Sequence, residues 1–436
     1  MAYFDELRRA AARLSEWLDL RHEQGCDVQP LVDQAVDRLQ SLAREAEAVE
    51  PPADLAKAEP IELDDIRALR PRGPRALPFE LTNAQLRDKM LGAWLGRAAG
   101  CILGIPCEGM SKVAIRSAAK AFGMRYPLAN YWTLDPKPGN AGGKHYGITP
   151  RRKFLRDHID RIGTDDDLTY TLLGLLILED YGVDFTTDDV GDAWLRYLPL
   201  ACTAERVALD NLRQGIEPPE TARIDNPYQE WIGADIRSDP WAYAAAGLPE
   251  VAATFAYRDA SVSHVRTGTY GEMFFAAAIA AAFVLDDIED VIKTGLSEIP
   301  KQCRLAKTVK QILRWCRRDG DWDTTTDRIL EKYEGMAGAH TLHNAALTIA
   351  GLLYGQGSFQ KTIALTVMGG VDTDCTAATA GSLFGAMVGA RRLPKKWVRP
   401  LGDRAESYLQ GKRRWASSDI ADRFCAVAAQ VRDVYT

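Results

Sequence analysis

Glycine recurs at every fourth position along one apolar stretch of this chain, at Gly92, Gly96, Gly100 and Gly104. The stretch 86–103 is otherwise rich in leucine and alanine, with a spacing that predicts a helix. Residues four apart share a helix face, so one face of this helix carries no side chains. A bare face lets a second backbone come very close. The sequence therefore predicts a tightly packed pair of helices.

A membrane span is the alternative for a helix with this glycine spacing. Arg87, Lys89 and Arg97 lie inside the helix, however, and charged residues are costly within a bilayer. A second apolar run, 274–285, is too short to cross a membrane and predicts a buried core helix. We therefore expect no membrane-spanning segment and no membrane partner.

Most of the remaining chain also has the periodicity of helices. Its 436 residues contain no train of short alternating strands, which predicts an all-α fold. The helices predicted for the main region span residues 86–103, 169–179, 271–285, 305–315, 326–333, 345–354, 361–368 and 377–390.

Charge and cysteine content exclude several classes of protein. The formal net charge of −6 gives no general attraction to nucleic acid or to acidic membranes. The eight cysteines have no Cys-x-x-Cys spacing, so neither a zinc ribbon nor a redox motif is indicated. Scattered thiols and a charged N-terminal segment without the pattern of a signal peptide predict a cytoplasmic protein.

Three regions follow one another along the chain. Residues 1–50 predict a hairpin of two amphipathic helices, whose apolar faces need a partner in the main domain or in a second subunit. Residues 51–80 carry six prolines and predict a linker, or an extended strap over the next domain. The main domain, 81–436, is expected to begin at a capping box formed by Thr82 and Gln85.

Acidic residues cluster at three helix edges that are far apart in the chain. Asp372 and Asp374 follow a Gly-Gly corner, Asp165 and Asp166 follow Thr164 at a predicted helix start, and Glu108 follows a helix-breaking proline. Burying paired carboxylates is costly unless a cation compensates their charge. If the three clusters converge, their oxygen atoms suit a hard divalent cation.

Each cluster also has a plainer explanation when taken alone. Thr164 with an acid three residues later matches a helix start, and Asp372 fits an Asx-turn or an N-cap. Glu108 fits a solvated loop residue. His264 fits a histidine that makes an ordinary buried hydrogen bond. The metal hypothesis explains the three acidic clusters together, and each plainer explanation covers one of them.

Taken in chain order, these motifs resemble the ADP-ribosylglycohydrolase family over about residues 82–405. The family includes hydrolases that remove ADP-ribose from arginine or serine. It implies a compact, orthogonal all-α bundle, here with an N-terminal helical extension, and a two-metal centre of Mg²⁺ or Mn²⁺ in a cleft. The matching motifs are Gly92-x-x-x-Gly96, Gly104-x-Pro106-x-Glu108, Thr164-Asp165-Asp166, Gly233-Ala234-x-Ile236-Arg237, Ser263-His264, Gly370-x-Asp372-Thr373-Asp374-Cys375 and Gly381.

The resemblance also implies roles for individual residues. Glu108 resembles an acid that contacts the metal or its water, and Asp165, Asp166 and Glu108 are the candidates for proton transfer. Substrate contacts are expected from Gly233, Arg237, His264, Cys375 and the 138–147 loop. The implied metal ligands are Thr164, Asp165 and Asp166 for the first cation, Asp372 for the second, and Asp374 as the bridge between them.

Cys375 stands where the family often has threonine. A thiol is a poor ligand for Mg²⁺, so the part of Cys375 in the metal site stays open. The resemblance implies a metal-dependent hydrolase that cleaves an N- or O-glycosidic bond to ADP-ribose on a protein, a nucleobase or a small molecule. Nucleic acid is then expected only as a modified substrate. A non-catalytic module that binds metal and ADP-ribose, and a ribosyl N-glycosidase of small-molecule metabolism, are the alternatives.

Overall fold

Twenty α-helices and one small β-hairpin form the parts of the chain that the computed structural model describes, residues 4–137 and 149–436. The all-α prediction is confirmed. In the hairpin, β1 (Ala405–Glu406) pairs antiparallel with β2 (Arg414–Trp415), and Ala405 lies opposite Trp415. The helices of the N-terminal region are α1 (Asp5–Glu23), α2 (Gln29–Glu47), α3 (Ala53–Ala58) and α4 (Leu63–Leu69).

The main region holds the other sixteen described helices. The first eight are α5 (Asn83–Gly104), α6 (Lys112–Ala121), α7 (Asp166–Tyr181), α8 (Thr187–Tyr197), α9 (Thr203–Arg213), α10 (Ser238–Ala244), α11 (Pro249–Ala260) and α12 (Thr267–Ala282). The last eight are α13 (Ile288–Leu296), α14 (Arg304–Asp319), α15 (Trp322–Lys332), α16 (Thr341–Gly355), α17 (Phe359–Met368), α18 (Thr373–Val388), α19 (Lys395–Val398) and α20 (Ser417–Tyr435).

The glycine face of α5 packs against α18, which confirms the predicted close pair of helices. The two helices run antiparallel. A residue four positions further along α5 therefore faces a residue four positions earlier in α18. A Cβ atom added at any of these glycines would come within 2.6 Å of the partner's backbone. The opposing pairs are Gly92 with Gly385, Gly96 with Gly381, Gly100 with Ala377 and Gly104 with Thr373.

Helix α5 is also the one described helix that is long and apolar enough to cross a membrane by composition. The segment Asn83–Cys107 meets that criterion, yet 89% of its most apolar window is buried inside the protein. Its N-terminus is closed by the expected capping box: the Gln85 amide donates to Thr82 Oγ1, and the Thr82 amide donates to Gln85 Oε1. Helix α5 is therefore placed as the central core helix of the main domain.

The N-terminal hairpin forms its two predicted helices, α1 and α2, and neither contributes a buried residue. The side chains of Leu7, Trp17, Leu39 and Leu42 are all more than half exposed. One contact to the main domain is the hydrogen bond from the Asp225 amide to Glu47 Oε1, 2.9 Å long. The main domain thus leaves the apolar faces open, and a second subunit as their partner stays a prediction.

The segment after the hairpin lies against the main domain through arginine–glutamate ion pairs. Arg70 and Arg75 both bind Glu298, at 2.6 and 2.5 Å. Glu59 is fully buried and binds Arg304 at 2.7 Å. The stretch also includes the short helices α3 and α4, so it is not extended throughout. The domain boundaries themselves stay a prediction.

Candidate metal centre

The pairing of α5 with α18 brings two of the acidic loops together. Because the helices are antiparallel, the C-terminal end of α5 lies beside the N-terminal end of α18. The loops that follow and precede them are then tied by backbone hydrogen bonds: Gly109 N donates to Val371 O (2.7 Å), and Val371 N donates to Met110 O (3.0 Å). Val371 has φ +68°, a strained conformation for a β-branched residue. The paired loops hold it there.

Glu108 meets Asp372 and Asp374 at this junction. One carboxylate oxygen from each of the three residues lies within 4.8 Å of the other two. We call these three residues the outer group. Asp372 and Asp374 are buried, whereas Glu108 is half-buried. Three carboxylates this close repel one another unless a cation lies between them.

The third acidic segment begins α7. Asp165 is the N-cap, and its Oδ1 accepts from the Asp167 amide at 3.0 Å and from Cys101 Sγ at 3.3 Å. The capping explanation therefore holds for this cluster, but with Asp165 rather than Thr164 as the cap. The Thr164 amide donates to Thr149 Oγ1 at 2.9 Å. These bonds fix the turn that carries Thr164, Asp165 and Asp166.

Two further groups of possible metal ligands adjoin this turn. Cys101, Asp165 and Asp167 have ligand atoms within 4.8 Å of one another, and so do Asp167, Asp374 and Cys375. We call the second set the thiol group. Asp374 belongs to both the outer group and the thiol group, and Asp167 links the thiol group to the α7 turn. Glu108, Asp165, Asp167, Asp372 and Asp374 are thus linked in one continuous cluster, whereas the predicted ligand Asp166 belongs to none of the three groups.

Burial and mutual repulsion raise the pKa of acids in this cluster. The pKa of Asp165 lies well above its ordinary value, because of burial first and then the charges of Asp166 and Asp167. Burial also raises the pKa of Asp167, and the Arg97 guanidinium opposes that rise. Ionising these acids together therefore costs free energy when no cation is bound. A bound divalent cation would reverse that cost.

Two orphaned oxygen atoms support a metal in the cluster. Asp372 Oδ1 and Thr164 Oγ1 are buried and have no hydrogen-bond partner among the described residues. Asp372 occupies the N-cap position of α18, yet its side chain makes no capping hydrogen bond, so the N-cap explanation does not account for it. Buried polar atoms are otherwise almost always paired. An oxygen-rich donor set with unpaired atoms fits a hard divalent cation.

The predicted substrate residues Gly233 and Arg237 lie in a separate buried cluster. Arg237 is 1% exposed, and its guanidinium donates to Asp259, Glu205 and Ser263 at 2.6–3.0 Å. A side chain at Gly233 would collide with the Glu205 carboxylate. A substrate contact from Arg237 would have to replace one of these bonds. The predicted binding roles of both residues stay predictions.

His264 lies beside this cluster. Its Nδ1 is 2.8 Å from Ser263 Oγ, as the plainer explanation expected, but its buried Nε2 has no partner in the described part of the chain. Burial holds the pKa of His264 well below its ordinary value, so the ring is neutral. Cys375 is buried in the thiol group. The 138–147 loop lies outside the described residues.

Sequence reasoning missed Asp167, Cys101 and Asp235. Asp167 is the acid three residues after Thr164, which the sequence pattern assigns to a helix start and not to the metal site. Once Asp165 is the N-cap, Asp167 lies in the first helical turn and points at α18. Asp235 is buried, both of its oxygens lack hydrogen-bond partners among the described residues, and burial raises its pKa well above the ordinary value. Its place inside the Gly233–Arg237 motif was the available signal.

Comparison with known proteins decides the family. The sequence model of the ADP-ribosylglycohydrolase family matches residues 82–433, most of the chain. The chain belongs to the ADP-ribosylglycohydrolase family. The resemblance drawn from the motifs is therefore confirmed. As an ADP-ribosylglycohydrolase, the chain is a glycohydrolase by class, with an ADP-ribosylated substrate of some kind.

A solved structure described as an ADP-ribosylglycohydrolase-related protein complex is similar to this chain. It shares 20% sequence identity, with 80% of this chain and 99% of the other chain covered, at a TM-score of 0.49. A search of curated proteins found no match. Residues 51–80 and the N-terminal hairpin precede the region that the family model matches.

Proposed function

We propose that this member of the family hydrolyses an N- or O-glycosidic bond between ADP-ribose and an acceptor, and that it depends on two divalent cations, Mg²⁺ or Mn²⁺. The observation that carries the proposal is the convergence of Glu108, Asp372 and Asp374 within 4.8 Å. The α7 turn supplies the further oxygen atoms of Thr164, Asp165 and Asp166. Cations held by these residues would orient the ribose and activate water for attack.

Glu108 is the residue we assign to proton transfer. Hydrolysis at an anomeric carbon passes through an oxocarbenium-like state, and the attacking water loses a proton as the new bond forms. A carboxylate at the edge of the site can accept that proton. Among the three candidates, Asp165 is fully buried and already caps α7, and Asp166 is 8% exposed. Glu108 is half-buried and is thus the most accessible to water.

Two basic side chains hold the backbone of the loop around Glu108. Lys137 Nζ donates to the Glu108 backbone oxygen at 2.8 Å, and the Arg151 guanidinium donates to the Pro106 backbone oxygen. Both basic side chains therefore fix the backbone of the loop. The Glu108 carboxylate lies close to those of Asp372 and Asp374. The loop backbone is therefore fixed at the point where Glu108 meets the two aspartates.

Turnover of a defined panel tests the proposal. We expect metal-free protein to be inactive and to release ADP-ribose from at least one substrate after addition of Mg²⁺ or Mn²⁺. The panel holds ADP-ribosylated arginine, serine, guanine and thymidine. Calorimetry with free ADP-ribose runs alongside. Binding of ADP-ribose without cleavage of any panel member would contradict the hydrolase and favour the binding module.

A further inference from the structure

We propose that Cys375 makes one position of this centre selective for a thiophilic divalent cation, such as Zn²⁺ or Co²⁺, over Mg²⁺. The position is the thiol group of Asp167, Asp374 and Cys375, and the outer group keeps its preference for Mg²⁺ or Mn²⁺. The inference rests on the proposed function only in that the acidic cluster binds divalent cations. It adds a difference in chemistry between the two halves of that cluster.

The donor atoms of the two groups differ in kind. The outer group offers carboxylate oxygens alone, which suit hard cations. The thiol group offers two carboxylates and one sulfur, all within 4.8 Å of one another and all buried. Sulfur ligands favour zinc and similar cations, whereas Mg²⁺ prefers oxygen. Zinc lies about 2.0–2.3 Å from oxygen and sulfur ligands, so a small inward movement brings all three donors onto one ion.

Asp167 supplies an independent observation. Its Oδ1 accepts from Arg97 Nη2 at 3.2 Å, and the same carboxylate is hydrogen-bonded to the Cys375 thiol. Arg97 is itself fixed by the Asp239 carboxylate and by the backbone oxygen of Ile236. Arg97 therefore holds Asp167 in one orientation, with its carboxylate in contact with the sulfur of Cys375. A cation at this position would replace the thiol proton between the two side chains.

Asp374 connects the thiol group to the outer group, because it belongs to both. One of its oxygens can serve each side, so the two positions are neighbours. A thiophilic cation on the Cys375 side would leave Glu108 and Asp372 for the harder cation. The two positions are then expected to fill with different metals when both are supplied.

Cys303 provides a control thiol outside the acidic cluster. It is buried like Cys375 but belongs to none of the three groups of possible metal ligands. Its Sγ caps α14 by accepting from the Ala306 amide at 3.3 Å, a role that a serine hydroxyl can also fill. Cys303→Ser and Cys375→Ser therefore make the same chemical change, one outside the cluster and one inside it.

The experiment is a titration of metal-free protein with Co²⁺, followed by the sulfur-to-cobalt charge-transfer absorption. We expect the native protein and Cys303→Ser to show the band and Cys375→Ser to lose it. The preference for Co²⁺ over Mg²⁺, measured by calorimetry, should fall at least about tenfold in Cys375→Ser, since even residues that only support a ligand change metal affinity about 10–100-fold.

Two outcomes would overturn this inference. The first is Co²⁺ binding to the native protein without a charge-transfer band, and the second is a band that survives in Cys375→Ser. The readout is separate from the proposed reaction. A band without cleavage of any panel substrate would support the thiol position and contradict the hydrolase. Metal-dependent cleavage without a band would contradict the thiol position alone.

Discussion

Glu108→Gln should lower the rate of ADP-ribose release by about 10²–10⁴-fold, the usual cost of losing a general acid or base. Glutamine keeps the shape of the side chain but cannot accept the proton of the attacking water. Asp372, Asp374 and the α7 turn are untouched, so affinity for ADP-ribose should change far less than turnover. The measurement is the single-turnover rate at saturating metal, beside calorimetry with ADP-ribose.

Glu80→Gln is the matched control, because Glu80 is an exposed glutamate outside the cluster. It should leave rate and affinity unchanged. A Glu108→Gln variant that cleaves as fast as the native protein would falsify the assignment and move proton transfer to Asp165 or Asp166. An equal loss of affinity and turnover would instead give Glu108 a binding role.

Gly100→Ala should destabilise the protein by about 3 kcal/mol, the upper end of the usual cost of overpacking a core. The added Cβ would lie 1.9 Å from the backbone oxygen of Ala377, so α5 and α18 must move apart. Their ends carry Glu108 on one side and Asp372 and Asp374 on the other. The same movement should therefore weaken metal binding, measured by the metal-induced rise in melting temperature.

Gly338→Ala controls for the loss of glycine itself. An added Cβ there would meet nothing closer than Val371 Cγ1 at 3.5 Å, an ordinary contact. We expect a change in the free energy of unfolding well under that of Gly100→Ala, measured by urea denaturation. Equal stability of the two variants would contradict the account of the α5–α18 pair.

The predictable part of this structure depends on local spacing. Four glycines at intervals of four predicted a bare helix face, and the face is there. The partner helix could also be recognised, because Ala377, Gly381 and Gly385 repeat the interval of four on the other side of the acidic corner. The spacing of these residues does not show that α5 and α18 run antiparallel, or which residues of the two helices face each other. That register is what places Glu108 beside Asp372.

Residues that depend on contacts between distant elements were harder to interpret. The sequence around Arg237 gives no sign that Glu205 and Asp259 surround its guanidinium in the core. The sequence alone does not identify Asp167 as a possible metal ligand, because Asp165 and Asp167 both suit a helix start. Only the hydrogen bond between them shows which one caps α7. The strain at Val371 likewise arises from the neighbouring Met110 loop, 261 positions earlier in the chain.

The central claim is that three distant acidic segments form one divalent metal centre. Crystals grown with Mn²⁺ and measured at the manganese absorption edge test it directly. The account predicts an anomalous peak between the carboxylates of Glu108, Asp372 and Asp374, and loss of that peak in Asp374→Asn. Manganese that binds only elsewhere on the protein, with no peak among these three carboxylates, would contradict it.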